Sequence, residues 1–108
     1  MSIEFVLVLT TLPADADAEL FASALIESGV VACVSILPVA QSVYRWQGAV
    51  ERASERQLLL KTTSDRTEDL WERLRELHPY EVPEFLVLPV TDGHEAYLRW
   101  ITDSTRTL

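Results

Sequence analysis

Hydrophobic and polar residues are arranged along the chain in segments that predict four strands and three helices. The first apolar run, residues 3–11, is nearly continuous and predicts a strand in the middle of a sheet. Pro13 ends that strand. Acidic residues then mark a helix start, and a helical stripe over residues 20–28 stops at Gly29.

The central segment predicts one long β-hairpin. A second strand starts with the apolar residues 30–37, resumes after Pro38 and continues to Trp46, and Gln47-Gly48 supplies a turn. Residues 49–62 return as the third strand. The end of this hairpin extends past what a small sheet can cover, and an isolated ribbon is only marginally stable in water. We therefore interpret it as an oligomerisation arm; the alternative is an arm that folds back or is solvated alone.

A second predicted helix follows the hairpin and ends at His78. Ser64 or Thr63 can cap its start, and Asp69 and Arg73 are spaced to pair on its outer side. Its apolar stripe ends at His78, which we expect on the inward flank.

A fourth strand and a short third helix complete the pattern. The strand covers residues 85–90, and Asp92 with Glu95 makes a capping-box start for the helix, which carries Tyr97, Trp100 and Ile101. We expect residues 103–108 to be frayed.

The predicted order is βαββαβ plus a C-terminal helix, which is the plan of ferredoxin-like α+β domains. In that plan the sheet order is four, one, three, two. Proline is tolerated on edge strands, and Pro38 and Pro89 fall on the two predicted edge strands, while the predicted strands one and three contain none.

Composition narrows the class of protein. The 108 residues fit a single domain, residues 1–108, and 48% of them are hydrophobic. A formal net charge of -8 disfavours nucleic acid and anionic membranes as partners. Cys33 is the only cysteine, and the apolar run near the N-terminus is too short for a membrane span. We predict a cytoplasmic protein.

The segment His78-Pro79-Tyr80-Glu81-Val82-Pro83 is the most informative motif. Its two prolines restrict the backbone, so an imidazole, a phenol and a carboxylate are presented from a stiff turn. Such a turn can form a binding site at little ordering cost. The alternative is a structural turn in which the histidine caps the helix and the tyrosine packs.

A second observation suggests a cleft for a small anion or polar metabolite. Lys61 closes an apolar run, where a bare ammonium needs a partner, and Glu81 is a plausible one. The alternative is a structural bridge between these two residues. The complete predicted set of ligand-binding residues is Tyr44, Trp46, Lys61, His78, Tyr80 and Glu81.

Metal ligation and catalysis have fewer candidates. His78, His94 and Cys33 are the side chains that a tight Cu(II) or Zn(II) site would use, and no spaced histidine pair is present. Of these, His78 is the predicted metal ligand. Cys33 on an apolar strand is more typical of a small buried residue. No Ser-His-Asp or Cys-His spacing is visible, so we predict that the protein is not an enzyme.

The chain as a whole resembles the CutA family of divalent-cation tolerance proteins. The resemblance rests on motifs that follow one another through most of the chain: ACVSILP at 32–38, SVYRWQG at 42–48, LKTT at 60–63, LHPYEVP at 77–83 and LPV at 88–90. It implies a cytoplasmic homotrimer with cross-subunit pairing of the long hairpin. It also implies an association with copper and other divalent cations, with no required cofactor and no established reaction.

One departure from the family concerns copper. The resemblance to its copper-binding member would place a thiol on the first strand and two adjacent histidines before the proline. This chain has Thr10 in place of the thiol and Leu77 in place of the first histidine, so only His78 remains of these ligands. Two other functions compete with that of a metal-tolerance protein: a trimeric small-molecule sensor resembling PII-type signalling proteins, and a structural assembly partner.

Overall fold

A computed structural model describes residues 4–106. They form a mixed α+β domain with a four-stranded antiparallel sheet and three helices. The elements, in chain order, are β1 (Phe5–Pro13), α1 (Ala18–Glu27), β2 (Cys33–Trp46), β3 (Ala49–Thr63), α2 (Thr67–Leu77), β4 (Leu86–Val90) and α3 (Glu95–Ser104), with a single 3₁₀ turn at Ser64–Arg66. The predicted start of β1 at Ile3 lies outside the described residues.

The sheet order is β2-β3-β1-β4, which confirms the predicted order of four, one, three, two. Pro38 and Pro89 lie on the two edge strands as predicted. The prediction that β1 contains no proline was wrong, because β1 extends to Pro13. That position is tolerated because β4 pairs with β1 only as far as Leu9, so no β4 carbonyl there requires a donor.

One face of the sheet carries the core. Successive strand residues point to opposite faces, and the even-numbered residues of β1 and β3 point toward α1 and α2. Leucines from both helices pack there, and the Asp17 carboxylate caps α1 by accepting from the Leu20 amide at 3.0 Å. The core residues are Val6, Val8, Leu12, Ala18, Phe21, Leu25, Val30, Val31, Leu58, Leu60, Leu70 and Leu74.

The opposite face, which we call the open face, carries many of the remaining apolar residues of the sheet. Along β1 and β3 these residues alternate with the core residues, and the pairing of β1 with β3 and β4 brings them together on one face. They are half-buried or exposed. Exposed apolar area of this extent on a small domain is typical of a contact surface. The open face includes Leu7, Leu9, Leu59, Leu86, Leu88 and Val90.

The hairpin of β2 and β3 extends well beyond the other two strands. Its distal part, residues 39–54, is mostly exposed and is called the arm below. A register shift between Ile36 and Val39, beside Pro38, exchanges the two faces of β2. The turn uses Gln47 and Gly48, both with positive φ, as a two-residue hairpin turn of type I′ requires.

The details of α2 differ from the prediction. Neither Ser64 nor Thr63 caps the helix with its side chain, because the 3₁₀ turn intervenes and the Thr63 hydroxyl donates to Asp65 at 2.6 Å. Asp69 pairs with Arg66 at 3.0 Å and not with Arg73. The predicted cap and the predicted Asp69–Arg73 pair were therefore wrong.

The C-terminal segment is more ordered than predicted. α3 begins without a side-chain cap, and Asp92 accepts from the Gly93 amide instead of forming a capping box with Glu95. Thr105 is buried, and Arg106 pairs with Asp65 at 2.9 Å. The Thr63 hydrogen bond and the Arg106 charge hold the pKa of Asp65 below its ordinary value. The prediction of a frayed end is therefore wrong for residues 103–106, and residues 107–108 lie outside the described residues.

Candidate functional site

His78 holds the turn that follows α2, and it is only 8% exposed. Pro79 disfavours helical geometry at the preceding residue, and His78 accordingly adopts an extended conformation at the end of α2. Its ring Nε2 lies 2.7 Å from the Thr11 carbonyl oxygen, and its Nδ1 accepts from the Tyr80 amide at 3.1 Å. The prediction that His78 faces inward is confirmed.

These two contacts determine the protonation of the ring. A carbonyl can only accept and an amide can only donate, so Nε2 carries the proton and Nδ1 is bare. Burial lowers the pKa of His78 below 6.5, which favours the same neutral form. A metal ion at either nitrogen would have to displace one of these partners.

Tyr80 is held by a buried carboxylate on β3. Its hydroxyl donates to Glu55 Oε2 at 2.6 Å, and the Glu55 residue is 9% exposed. Burial, together with the hydrogen bond and charge of Glu55, raises the pKa of the Tyr80 phenol. Tyr80 is therefore a neutral donor at physiological pH, and it joins the turn to the base of the arm.

A cleft of about 550 Å³ lies between the turn and the arm. Tyr44 and Trp46 form one wall, because residues two apart in a strand point to the same side. The turn and the residues before β4 form the other. The lining residues are Thr11, Ser42, Tyr44, Trp46, Glu55, Gln57, Tyr80, Glu81, Val82, Pro83 and Glu84. The volume is within the range of small-molecule sites.

The structure brings four of the six predicted ligand-binding residues to this cleft: Tyr44, Trp46, Tyr80 and Glu81. His78 lies behind the wall and positions Tyr80 through the backbone amide. The motif at residues 78–83 thus agrees with both readings of the sequence, since hydrogen bonds of its histidine hold the turn and its residues 80–83 line the cleft.

Lys61 does not reach the cleft. It pairs in register with Cys33 and Leu7, four residues from Gln57 and so about 13 Å along the strand. Its Nζ donates to Ser35 Oγ at 2.9 Å and lies 3.6 Å from Cys33 Sγ. The predicted Lys61–Glu81 partnership was wrong, because the two residues lie at different ends of the sheet.

Sequence reasoning missed five polar lining residues: Thr11, Ser42, Glu55, Gln57 and Glu84. Gln57 Nε2 donates to the Thr10 carbonyl at 2.9 Å and to Glu84 Oε2 at 2.6 Å, so it links β1 to the segment before β4. Two of the five, Glu55 and Gln57, belong to the polar stretch 51–57 of β3. The signal that could have found these two is the change from a polar stretch to the apolar run 58–60 within one strand.

The potential metal ligands remain apart. Cys33 is half-buried beside Lys61, and His94 is exposed before α3. Within residues 4–106, no three histidine, cysteine or acidic side chains are grouped as a metal ion would need. The residues therefore do not fit a preformed copper or zinc centre in a single subunit.

Comparisons with known proteins agree on one family. The family model described as CutA1 divalent ion tolerance protein matches residues 6–104. The divalent-cation tolerance protein CutA of Pectobacterium atrosepticum is 44% identical over 101 residues, which cover 94% of this chain and 92% of that protein. This chain belongs to the CutA family.

Solved CutA structures share the fold. The divalent cation tolerance protein (Cut A1) of Thermus thermophilus superposes with a TM-score of 0.90 at 44% identity, covering 94% of this chain and 98% of that one. CutA1 from Oryza sativa gives a TM-score of 0.92 at 34% identity, covering 99% and 98%. The predicted resemblance is confirmed, and the names of these relatives describe tolerance of divalent cations and not a reaction. Among the described residues, no helix is long and apolar enough to cross a membrane.

Proposed function

We propose that this CutA protein acts in the cytoplasm as a homotrimer that makes cells tolerant of copper and other divalent cations. The observation that carries the proposal is the family match over residues 6–104 together with relatives named for this tolerance. The test is growth of a host strain that lacks its own CutA on a Cu(II) series, with and without this chain. Equal copper sensitivity of the two strains would contradict the proposal.

Three features of the subunit support trimer assembly. The arm is too exposed to be stable as an isolated ribbon, and β4 presents an unpaired edge. The open face presents apolar side chains that another subunit would bury. The βαββαβ order supports a ferredoxin-like subunit, in which the edge strands are available for pairing.

Direct copper ligation by His78 is the sharpest form of the metal proposal. Imidazole is a good ligand for Cu(II), but binding here must break the contact with Thr11 or with Tyr80. We therefore expect copper binding at this residue to be weak and to weaken further as pH falls. Calorimetric titration of Cu(II) into the wild type and His78→Ala checks this, and equal affinity for both would exclude His78 as a principal ligand.

The second candidate function is a small-molecule sensor resembling PII-type signalling proteins. The observation that favours it is the cleft, since Tyr44, Trp46, Tyr80 and Glu81 converge there from two distant segments. The Tyr80–Glu55 hydrogen bond connects the cleft to the base of the arm. A ligand seated in the cleft would thus contact both the turn and the element that we assign to assembly.

A further inference from the structure

The cleft has an excess of negative charge. Glu55, Glu81 and Glu84 line it, and in the part of the chain that the structure describes no lysine or arginine does. Tyr80 donates to Oε2 of Glu55, and Gln57 donates to Oε2 of Glu84. The other oxygen of each carboxylate accepts no hydrogen bond from these donors and is available to a ligand. Glu81 is exposed and accepts no hydrogen bond from another described side chain.

The aromatic wall of the cleft favours a positively charged ligand, as the three carboxylates do. In the single subunit Tyr44 is 43% exposed and Trp46 is 48% exposed, and both present part of their surface to the cleft. Aromatic faces carry negative electrostatic potential and attract cations, most strongly at tryptophan. The carboxylates and this wall therefore act in the same direction on a charged ligand.

We propose that the cleft binds a small organic ammonium ion, whose apolar carbons contact Tyr44 and Trp46 while Glu81 neutralises its charge. This proposal rests on the small-molecule role of the cleft and names its ligand class. It excludes the anion suggested by the sequence, because Lys61 lies on another part of the sheet. A phosphate group here would face three carboxylates without a counter-charge.

The test compares ligands of one shape and different charge by NMR titration of the full chain. Choline is the cation, and 3,3-dimethylbutanol is its uncharged carbon isostere; butylammonium and ATP are further probes. We expect choline to shift the Trp46 indole N–H and to bind about tenfold more tightly than the isostere. The indole signals of Trp71 and Trp100, which do not line the cleft, serve as internal controls.

A pair of charge-matched variants assigns the site. We expect Glu81→Gln to weaken choline binding about tenfold, since it removes a carboxylate without changing shape. Glu27→Gln removes the same charge from the exposed end of α1 and should change affinity less than about twofold. Equal effects of the two variants would overturn the assignment to the cleft.

The outcomes separate this proposal from the one on which it rests. Binding of ATP in place of the cations would overturn the ammonium class and leave the small-molecule role standing. Binding of a blocked lysine, Nα-acetyl-lysine amide, more tightly than butylammonium would support the chemistry and identify a protein side chain as its source. If no probe moves the Trp46 signal, both the ammonium site and the small-molecule role are wrong.

Discussion

At the scale of single residues, His78 controls the turn because its two nitrogens have opposite roles. Nε2 donates to Thr11 and Nδ1 accepts from Tyr80, and only a neutral ring does both. The unfolded chain takes up a proton near pH 6.5, whereas burial lowers the pKa of His78 in the folded protein. The stability that depends on the neutral ring is therefore present above pH 6.5 and is lost as pH falls toward the folded pKa.

The first prediction concerns His78→Gln, which removes titration and the Nδ1 acceptor but retains a donor for Thr11. We expect its free energy of unfolding to be about 1–2 kcal/mol lower than that of the wild type at pH 7.5. The difference should shrink as pH falls below 6.5, because only the wild type then loses stability through this ring. Urea unfolding at one protein concentration and at pH 7.5, 6 and 5 measures it.

A matched control is His94→Gln, which changes an exposed histidine whose side chain makes no capping hydrogen bond. It should leave both the stability and its pH dependence within about 0.5 kcal/mol of the wild type. A difference between the wild type and His78→Gln that is the same at pH 5 and pH 7.5 would contradict the assigned ring state.

The second residue-scale prediction concerns the Tyr80–Glu55 hydrogen bond. Tyr80→Phe leaves a buried carboxylate without its donor, and we expect a loss of about 1–3 kcal/mol in unfolding free energy. Adding Glu55→Gln should recover part of the loss, since an amide is less costly to bury than a charge. Tyr97→Phe on the exposed side of α3 is the control; a loss equal to that of Tyr80→Phe would show that the buried contact is not the cause.

At the scale of elements, the arm depends on a turn with two positive φ angles. Gln47 has φ +49° and Gly48 has φ +82°, and an added Cβ at Gly48 would meet no atom within 4 Å. Any cost of substitution there is consequently a backbone cost, because no side chain or neighbouring strand is displaced.

The third prediction uses this turn. We expect Gly48→Ala to destabilise the arm by about 1 kcal/mol and Gln47→Asn to stabilise it by a few tenths, since asparagine tolerates the left-handed region. Amide hydrogen exchange of residues 42–53 measures both effects locally. Gln41→Asn in the exposed part of β2 is the control for the amide change; equal gains at positions 41 and 47 would exclude the turn as the cause.

At the scale of the whole molecule, the subunit is elongated, with principal extents of 46 × 26 × 23 Å. α1 and α2 cover one face of the sheet, and the open face keeps its apolar residues accessible to a partner. A domain of this size with the arm and the open face both exposed is expected to bury them by assembly.

The fourth prediction tests that assembly. We expect light scattering to give the mass of a trimer for the wild type and a lower mass for Leu88→Lys, which puts a charge on the open face. Leu20→Lys is the matched control, because Leu20 is an exposed leucine on the outer side of α1. A trimer that survives Leu88→Lys, or one that Leu20→Lys also dissociates, would show that the open face is not the interface.

The sequence anticipated the elements, the strand order and the family, but it misplaced local partners. Periodicity identifies a helix or strand because it depends on neighbours along the chain. Asp69 forms an ion pair with Arg66 and not with Arg73, and the Thr63 hydroxyl donates to Asp65 instead of capping α2. In both cases several polar partners of similar strength are within reach of one side chain. Ordering at residues 103–106 depends on Asp65, which lies about forty positions earlier and gives no local signal.

By itself the sequence determined the alternation of buried and exposed positions, the rigid turn at Pro79 and Pro83, and the membership of the CutA family. The tertiary structure alone decided which side chains meet. Strand register placed Lys61 beside Ser35 and brought Glu55 to Tyr80, and the register shift near Pro38 set the face of the arm on which Tyr44 and Trp46 lie. The physical reason is that a strand displaced by one residue reverses every side chain, so a site built across strands exists only once the pairing is set.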